Sequence, residues 1–525
     1  MNPEADLAEL KRHLQAIDDL RRAAAVLNWD QATYMPSGGA EARGRQLALL
    51  SRLAHERLTD PNVGRLLESL APWAETQATD SNAAALVRVT RRDYARATRV
   101  PSAFIERLSE HTAATYHEWQ RARPANDFAA VQPGLETTVE LSRELAAFHP
   151  GYAHPYDALI DRAEDGMTVG AVRSLFNELR AGLVPLIEAI RDRPQGDDGC
   201  LTGDFPESVQ QAFGEKVIRA FGYDYDRGRQ DKTAHPFMVK LGRGDVRITT
   251  RYRPDYLADG LFSTMHEAGH ALYEQGIDDA LDGTPLFRGT TSGVHESQSR
   301  LWENLVGRSL PFWRHWYPQL KAAFPSALDG ADVETFYRAI NKVVPSLVRT
   351  RADEVTYNLH VMLRFDLELE LLEGKLAVAD LPEAWRARMQ SDLGVTPPDD
   401  RDGVLQDVHW YDGVVGGAFQ SYTLGNIMSA QFFAAARRDL ANLDDQIGAG
   451  EFEPLRTWLT ERIYRHGRKF TAPEIMQRAT GEPLSVAPYL AYLNTKYGAL
   501  YGLQRVGECR GKRADSFCPE VPAVL

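Results

Sequence analysis

The chain has 525 residues, with 60 Lys+Arg against 73 Asp+Glu and a net charge of −13. That balance excludes a general nucleic-acid binder, whose electrostatic footprint is basic. A content of 43% hydrophobic and 25% charged residues excludes a largely disordered chain, and no run approaches the roughly 20 apolar residues of a membrane span.

The N-terminus, MNPEADLAELKRHLQAIDDL, is acidic and amphipathic. It lacks the basic and apolar regions of a secretory signal, so a cytoplasmic protein is expected. Residues 5–28 place Leu7, Leu10, Leu14, Ile17 and Leu20 at steps of three and four, one helical stripe. Similar stripes follow over 40–58, 82–98, 102–122 and 128–148. Pro101 and Ser102 open one helix, and the Asp204–Pro206–Glu207 region opens another. Loops are expected at Arg193–Gly199 and Gly394–Gly403. His235–Tyr252 breaks the pattern: Val246, Ile248, Thr250 and Tyr252 alternate with Arg247, Thr249 and Arg251 after a Gly242–Asp245 turn. This predicts a β-hairpin. After about residue 507 helical periodicity is lost. Residues 508–525 read as a disordered tail that holds Cys509 and Cys518. With Cys200 these are the three cysteines, too few for a disulfide framework or a zinc knuckle, so any metal must be held by histidine and carboxylate. The expected fold class is mainly α with a small antiparallel β-sheet. One unit is expected over 1–507, with an N-terminal helical half (1–230) and a second half (231–507).

Residues 266–270 read His-Glu-Ala-Gly-His. They lie in an amphipathic segment, Asp255–Gln275, whose stripe is Leu257, Leu261, Met265, Ala268 and Leu272, with Gly276 as a stop. Positions i and i+4 share a helix face, so His266 and His270 can present two imidazoles to one ion. Glu267 stands beside them without chelating, where it can take a proton from water. The plainer reading is two unrelated histidines on an ordinary helix. A hydrolytic metal site needs a third protein ligand. His295-Glu296-Ser297-Gln298 opens a second patterned helix, with Glu296 30 residues after His266. Glu296 would complete the His₂Glu set of the gluzincin peptidases; His295 would give His₃ instead.

Other segments bear on that choice. They are His235-Pro236-Phe237, Asp245-Val246-Arg247-Ile248-Thr249, Val348-Arg349-Thr350-Arg351-Ala352-Asp353-Glu354-Val355-Thr356 and Gly403-Val404-Leu405-Gln406-Asp407-Val408-His409-Trp410. Together with the two histidine motifs, and in this order, they make the chain resemble the carboxypeptidase Taq family of zinc metallocarboxypeptidases. The resemblance runs over roughly residues 5–503, with Val348 where isoleucine is usual. It implies a groove-shaped helical fold, commonly a homodimer. It implies one divalent metal per chain, normally Zn²⁺ with Co²⁺ or Mn²⁺ as alternatives, on His266, His270 and Glu296. The implied substrates are peptides with a free C-terminus, losing single residues with Glu267 as general base. An oligopeptidase or dipeptidyl carboxypeptidase is the nearest alternative, and a non-catalytic metal-binding scaffold a remoter one.

A tetrahedral oxyanion needs hydrogen-bond donors. His409 and Tyr422 are the candidates, by analogy with related helical gluzincins; the plainer reading of Tyr422 is an interior aromatic. A terminal carboxylate suits the planar fork of arginine. Among Arg349, Arg351, Arg247 and Arg300 the resemblance favours Arg349, whose rival role is an ion pair with Asp353 or Glu354. Arg247 is a further substrate-binding candidate, although bracing by Asp245 is the expected role. The strand Val246–Tyr252 is placed to offer a sheet edge along which a peptide lies.

Overall fold

The computed structural model describes residues 2–503, so the tail expected at 508–525 lies outside the described residues. Twenty α-helices and one three-stranded sheet are present among the described residues. The first helix, Pro3–Thr33, is capped by the Asn2 side chain, which accepts from the N–H groups of Glu4 and Ala5. It buries Leu10, Leu14 and Ile17, the stripe read from the sequence. Helices Ala40–Leu58, Asn82–Ala97, Ser102–Ala125 and Phe128–Ala147 match the other stripes. One hydrophobic cluster runs from Leu10 to Tyr497.

Strands β1 (Gln230–Lys232), β2 (Met238–Gly242) and β3 (Asp245–Thr250) are ordered β1-β3-β2. β2 and β3 form the antiparallel hairpin, with a register shift between Lys240 and Gly242. β1 runs parallel to β3, so the sheet is mixed rather than purely antiparallel. β1 is Gln-Asp-Lys, with no apolar alternation to announce it. The edge expected of β3 is also corrected: β3 is the central strand, and β2 is the member of the hairpin with an outer edge.

Three helices carry the site. The metal helix, Leu257–Gln275, ends as expected: the Gly276 N–H returns to the carbonyls of Leu272 and Tyr273. The Glu296 helix, Ser292–Arg300, is capped by Thr291 and runs on into a π-helical turn, Leu301–Val306. It lies between the metal helix and the buried helix Gln420–Asp439. Two glycines allow these crossings. A Cβ on Gly269 would stand 2.6 Å from Ser299 Cα, and one on Gly425 would stand 2.5 Å from Glu296 Cγ. The Glu296 helix is therefore in close contact with a helix backbone on each side.

Candidate active site

A cavity of about 980 Å³ opens over the metal helix, lined by His266, Glu267, His270 and Glu296 on one side and by Arg349 and Tyr422 on another. The ligand atoms of His266, His270 and Glu296 lie within 4.8 Å of one another. Glu296 Oε2 is 3.7 Å from His266 Nε2 and 3.4 Å from His270 Nε2. The remaining atoms of all three are already engaged. His266 Nδ1 meets Glu303 at 2.8 Å, His270 Nδ1 meets His295 Nδ1 at 2.7 Å, and Glu296 Oε1 accepts from Arg300 Nε at 2.7 Å. Two imidazole nitrogens and one carboxylate oxygen are thus left facing one point, a donor set that fits a divalent ion such as zinc. The three-histidine alternative is not formed. His295 spends Nδ1 on His270 and Nε2 on Glu274, at 3.0 Å, and so stands behind the ligand rather than beside it.

The electrostatics agree with this division of labour. Burial pushes the Glu267 carboxyl up to about 7, with His266 pulling the other way. A carboxyl at that value can take and return a proton near neutrality. Burial also pulls His270 down to about 4, which keeps the imidazole neutral near pH 7. At Glu303 burial opposes ionisation, but Arg300 and His266 outweigh it and hold the carboxyl down to about 2.

On the other side, Asp407, His409 and Tyr422 form a chain. The Asp407 carboxylate accepts from His409 Nδ1, and His409 Nε2 lies 2.8 Å from the Tyr422 hydroxyl. Tyr422 lines the cavity, and His409 stands behind it. Burial raises the Tyr422 pKa, so the phenol keeps its proton.

Arg349 lies in a 3₁₀ turn, Arg349–Arg351, and is 4% exposed. Its Nε donates to Asp407 at 2.7 Å and its Nη1 to Tyr357 at 2.8 Å. The rival pairing with Asp353 is not made. The chain is not helical between them, so a spacing of four brings no contact; Asp353 instead accepts from the N–H groups of Val355, Thr356 and Val344. Glu354 pairs with Lys496 at 2.7 Å. Arg247 lines no part of the cavity: it pairs with Asp245 at 2.8 and 2.7 Å and lies 4.2 Å over the Trp29 ring. The bracing role is the one that its contacts fit. Arg251 and Arg351 do line the cavity, as do His235, Pro236, Phe237 and Met238 at the start of β2.

The chain matches the family described as carboxypeptidase Taq (M32) metallopeptidase over residues 9–497. Thermostable carboxypeptidase 1 of Thermus thermophilus is 43% identical over 514 residues, covering 96% of this chain and 100% of that one. Carboxypeptidase 1 of Bacillus subtilis is 36% identical, covering 93% and 97%. A crystal structure of M32 carboxypeptidase from Deinococcus radiodurans R1 superposes with a TM-score of 0.91 at 49% identity, covering 95% and 100%. The chain belongs to the carboxypeptidase Taq (M32) metallopeptidase family. As a member it is a metallocarboxypeptidase, a peptide hydrolase.

Several groups around the site of this carboxypeptidase were not singled out by sequence. Glu274 follows His270 by one helical turn, and Glu303 follows Arg300 by three positions, so helical spacing was the available signal. Lys240 and Asp407 reach their partners across 34 and 58 positions, and no local pattern reports that. No helix among the described residues is long and apolar enough to cross a membrane.

Proposed function

We propose that this metallocarboxypeptidase releases single amino acids from peptide C-termini. In this reading one divalent ion, Zn²⁺ ahead of Co²⁺ or Mn²⁺, is held by His266 Nε2, His270 Nε2 and Glu296 Oε2. The observation that carries the reading is the convergence of these three atoms at the cavity wall beside buried Glu267. When bound, such an ion supplies Lewis acidity and makes water more acidic. Glu267 takes the proton of the attacking water and delivers it to the leaving amine. The Tyr422 hydroxyl, held beside the cavity by His409 Nε2, turns its one proton from that nitrogen to the developing oxyanion. Arg349, with Nη2 not committed to Asp407 or Tyr357, binds the terminal carboxylate of the substrate. The outer edge of β2 at Met238 takes the peptide backbone as an added strand. Arg247 braces Asp245 and Trp29 rather than touching substrate.

The decisive experiment digests free-acid peptides with and without chelator and reads products by mass. Loss of one residue at a time, stopped by chelator and restored by Zn²⁺, is expected. Release of dipeptides would replace the reading with a dipeptidyl carboxypeptidase. The family resemblance also supports a cytoplasmic homodimer, which sedimentation of the purified protein and cell fractionation test.

A further inference from the structure

The two histidines of the proposed metal site are supported by different devices. His266 Nδ1 faces the Glu303 carboxylate directly. A carboxylate only accepts, so Nδ1 carries the ring proton and Nε2 is left with its lone pair. His270 Nδ1 faces another imidazole nitrogen, His295 Nδ1, at 2.7 Å. One proton lies between those two nitrogens, and the distance alone does not say which ring owns it. If His270 owns it, Nε2 is open to a metal. If His295 owns it, a neutral His270 carries its proton on Nε2 and is blocked as a ligand.

The choice is made further out. His295 Nε2 lies 3.0 Å from Glu274 Oε1, and Glu274 is 4% exposed. Glu274 Oε1 also accepts from the Gly289 N–H at 2.8 Å, while Oε2 accepts from Lys240 Nζ at 2.9 Å. Lys240 donates again to the Phe287 carbonyl at 3.0 Å and sits 3.4 Å from the centre of the Phe287 ring. The His295 ring packs closely on Gly289, where a Cβ would stand 2.5 Å from its Cδ2. Burial alone would favour a protonated Glu274, and Lys240 and His295 outweigh it, so the carboxyl is ionised well below its usual range.

An ionised Glu274 can only accept. With one proton on each ring, His295 Nε2 donates to it, His295 Nδ1 accepts, and His270 Nδ1 donates. We infer that the chain Lys240–Glu274–His295 holds the His270 proton on Nδ1 and so keeps Nε2 open to the metal, which makes these three positioning residues. The inference rests on the metal-site reading above. Its consequence reaches Lys240, three groups away from the ion. Without that cation, buried Glu274 takes one proton from solvent. It then donates to His295 Nε2, His295 donates through Nδ1, and the proton of His270 moves to Nε2. Each ring keeps one proton throughout.

The test uses the full chain, stripped of metal, as wild type, Lys240→Met and Lys240→Arg. Zn²⁺ affinity is measured against a chromophoric chelator, and the histidine tautomers are read by ¹⁵N NMR. Wild type should show His270 protonated at Nδ1. Lys240→Met should reverse that tautomer and weaken Zn²⁺ about 10- to 100-fold, and Lys240→Arg should restore both. An affinity of Lys240→Met within about threefold of wild type, or a wild-type His270 protonated at Nε2, overturns the inference. Should Lys240→Met fail to fold, His295→Phe and His295→Gln replace it, because only glutamine can accept from His270. The same 10- to 100-fold gap between them is expected, and equal affinities overturn the inference. A wild-type chain that binds no Zn²⁺ would remove the metal site itself. A wild type that binds while Lys240→Met binds equally removes only the relay.

Discussion

On one wall of the cavity two α-helices present His266, His270 and Glu296. On the other, the loop wall, a 3₁₀ turn presents Arg349 and the start of helix Gln420–Asp439 presents Tyr422, backed by His409 from the loop before it. On the helical wall His270 has a support of its own, His295, while Glu303 behind His266 and Arg300 behind Glu296 are joined by a hydrogen bond of 3.2 Å. The opposite wall routes Arg349 and His409 through a single carboxylate, Asp407. The helical wall is stiff because backbones touch at Gly269 and Gly425. The loop wall is held by hydrogen bonds that share one junction. Damage behind His270 should stay local, while damage at Asp407 should reach both Arg349 and His409.

The largest effect should come from Glu296→Ala, which removes a proposed ligand: metal content and peptide hydrolysis should both fall to background. Full metal occupancy in that variant would place the ligand elsewhere. Glu267→Gln removes only the proposed proton carrier. It should keep its metal by elemental analysis and lose about 10²- to 10⁴-fold in kcat. Activity within tenfold of wild type would move the base to another residue.

Across the cavity, Arg349→Ala should cost about 2–5 kcal/mol on free-acid peptides, about 30- to several-thousand-fold in kcat/KM. The loss should be smaller on C-terminally amidated peptides. An equal loss on both, with a lower Tm, would mean that Arg349 serves only Asp407. Tyr422→Phe should lower kcat about 10²- to 10³-fold with little change in KM; a change confined to KM would make Tyr422 a binding residue. Arg247→Ala marks the lower limit of the comparison. It loses a part-exposed ion pair and a cation–π contact, together about 0.5–1 kcal/mol of stability, with kcat/KM unchanged. A tenfold fall in kcat/KM would return Arg247 to the substrate.

The two walls also differed in how well sequence announced them. His266 and His270 were readable because a helix converts a spacing of four into proximity, and Glu296 because it opened a patterned helix. The first helix was readable because only one face is buried. Helix Gln420–Asp439 buries Gln420, Ser421, Thr423, Asn426, Ser429 and Gln431 along with its apolar residues, so no stripe marks it. On the loop wall, spacing failed outright: Arg349 and Asp353 are four apart in a segment that is not helical. Their actual partners lie far along the chain or on backbone N–H groups. β1 has no pattern to find, because its three residues take their place from the parallel partner rather than from their own polarity.

The π-helical turn after the Glu296 helix has a genetic consequence. Such a turn is what one extra residue does to an α-helix. Deleting the codon of Asn304, Leu305 or Val306 would let the helix run on unbroken and turn the following chain by about 100°. Arg308, which now joins Glu303 to the Ile340 carbonyl and lies 3.7 Å over the Phe262 ring, would leave all three. The three proposed metal ligands would be untouched in the gene, yet Glu303 would lose its outer clamp. Conservative substitutions in this stretch should therefore keep the peptide hydrolysis that one-residue deletions lose, a site guarded by the length of the message as well as by its letters.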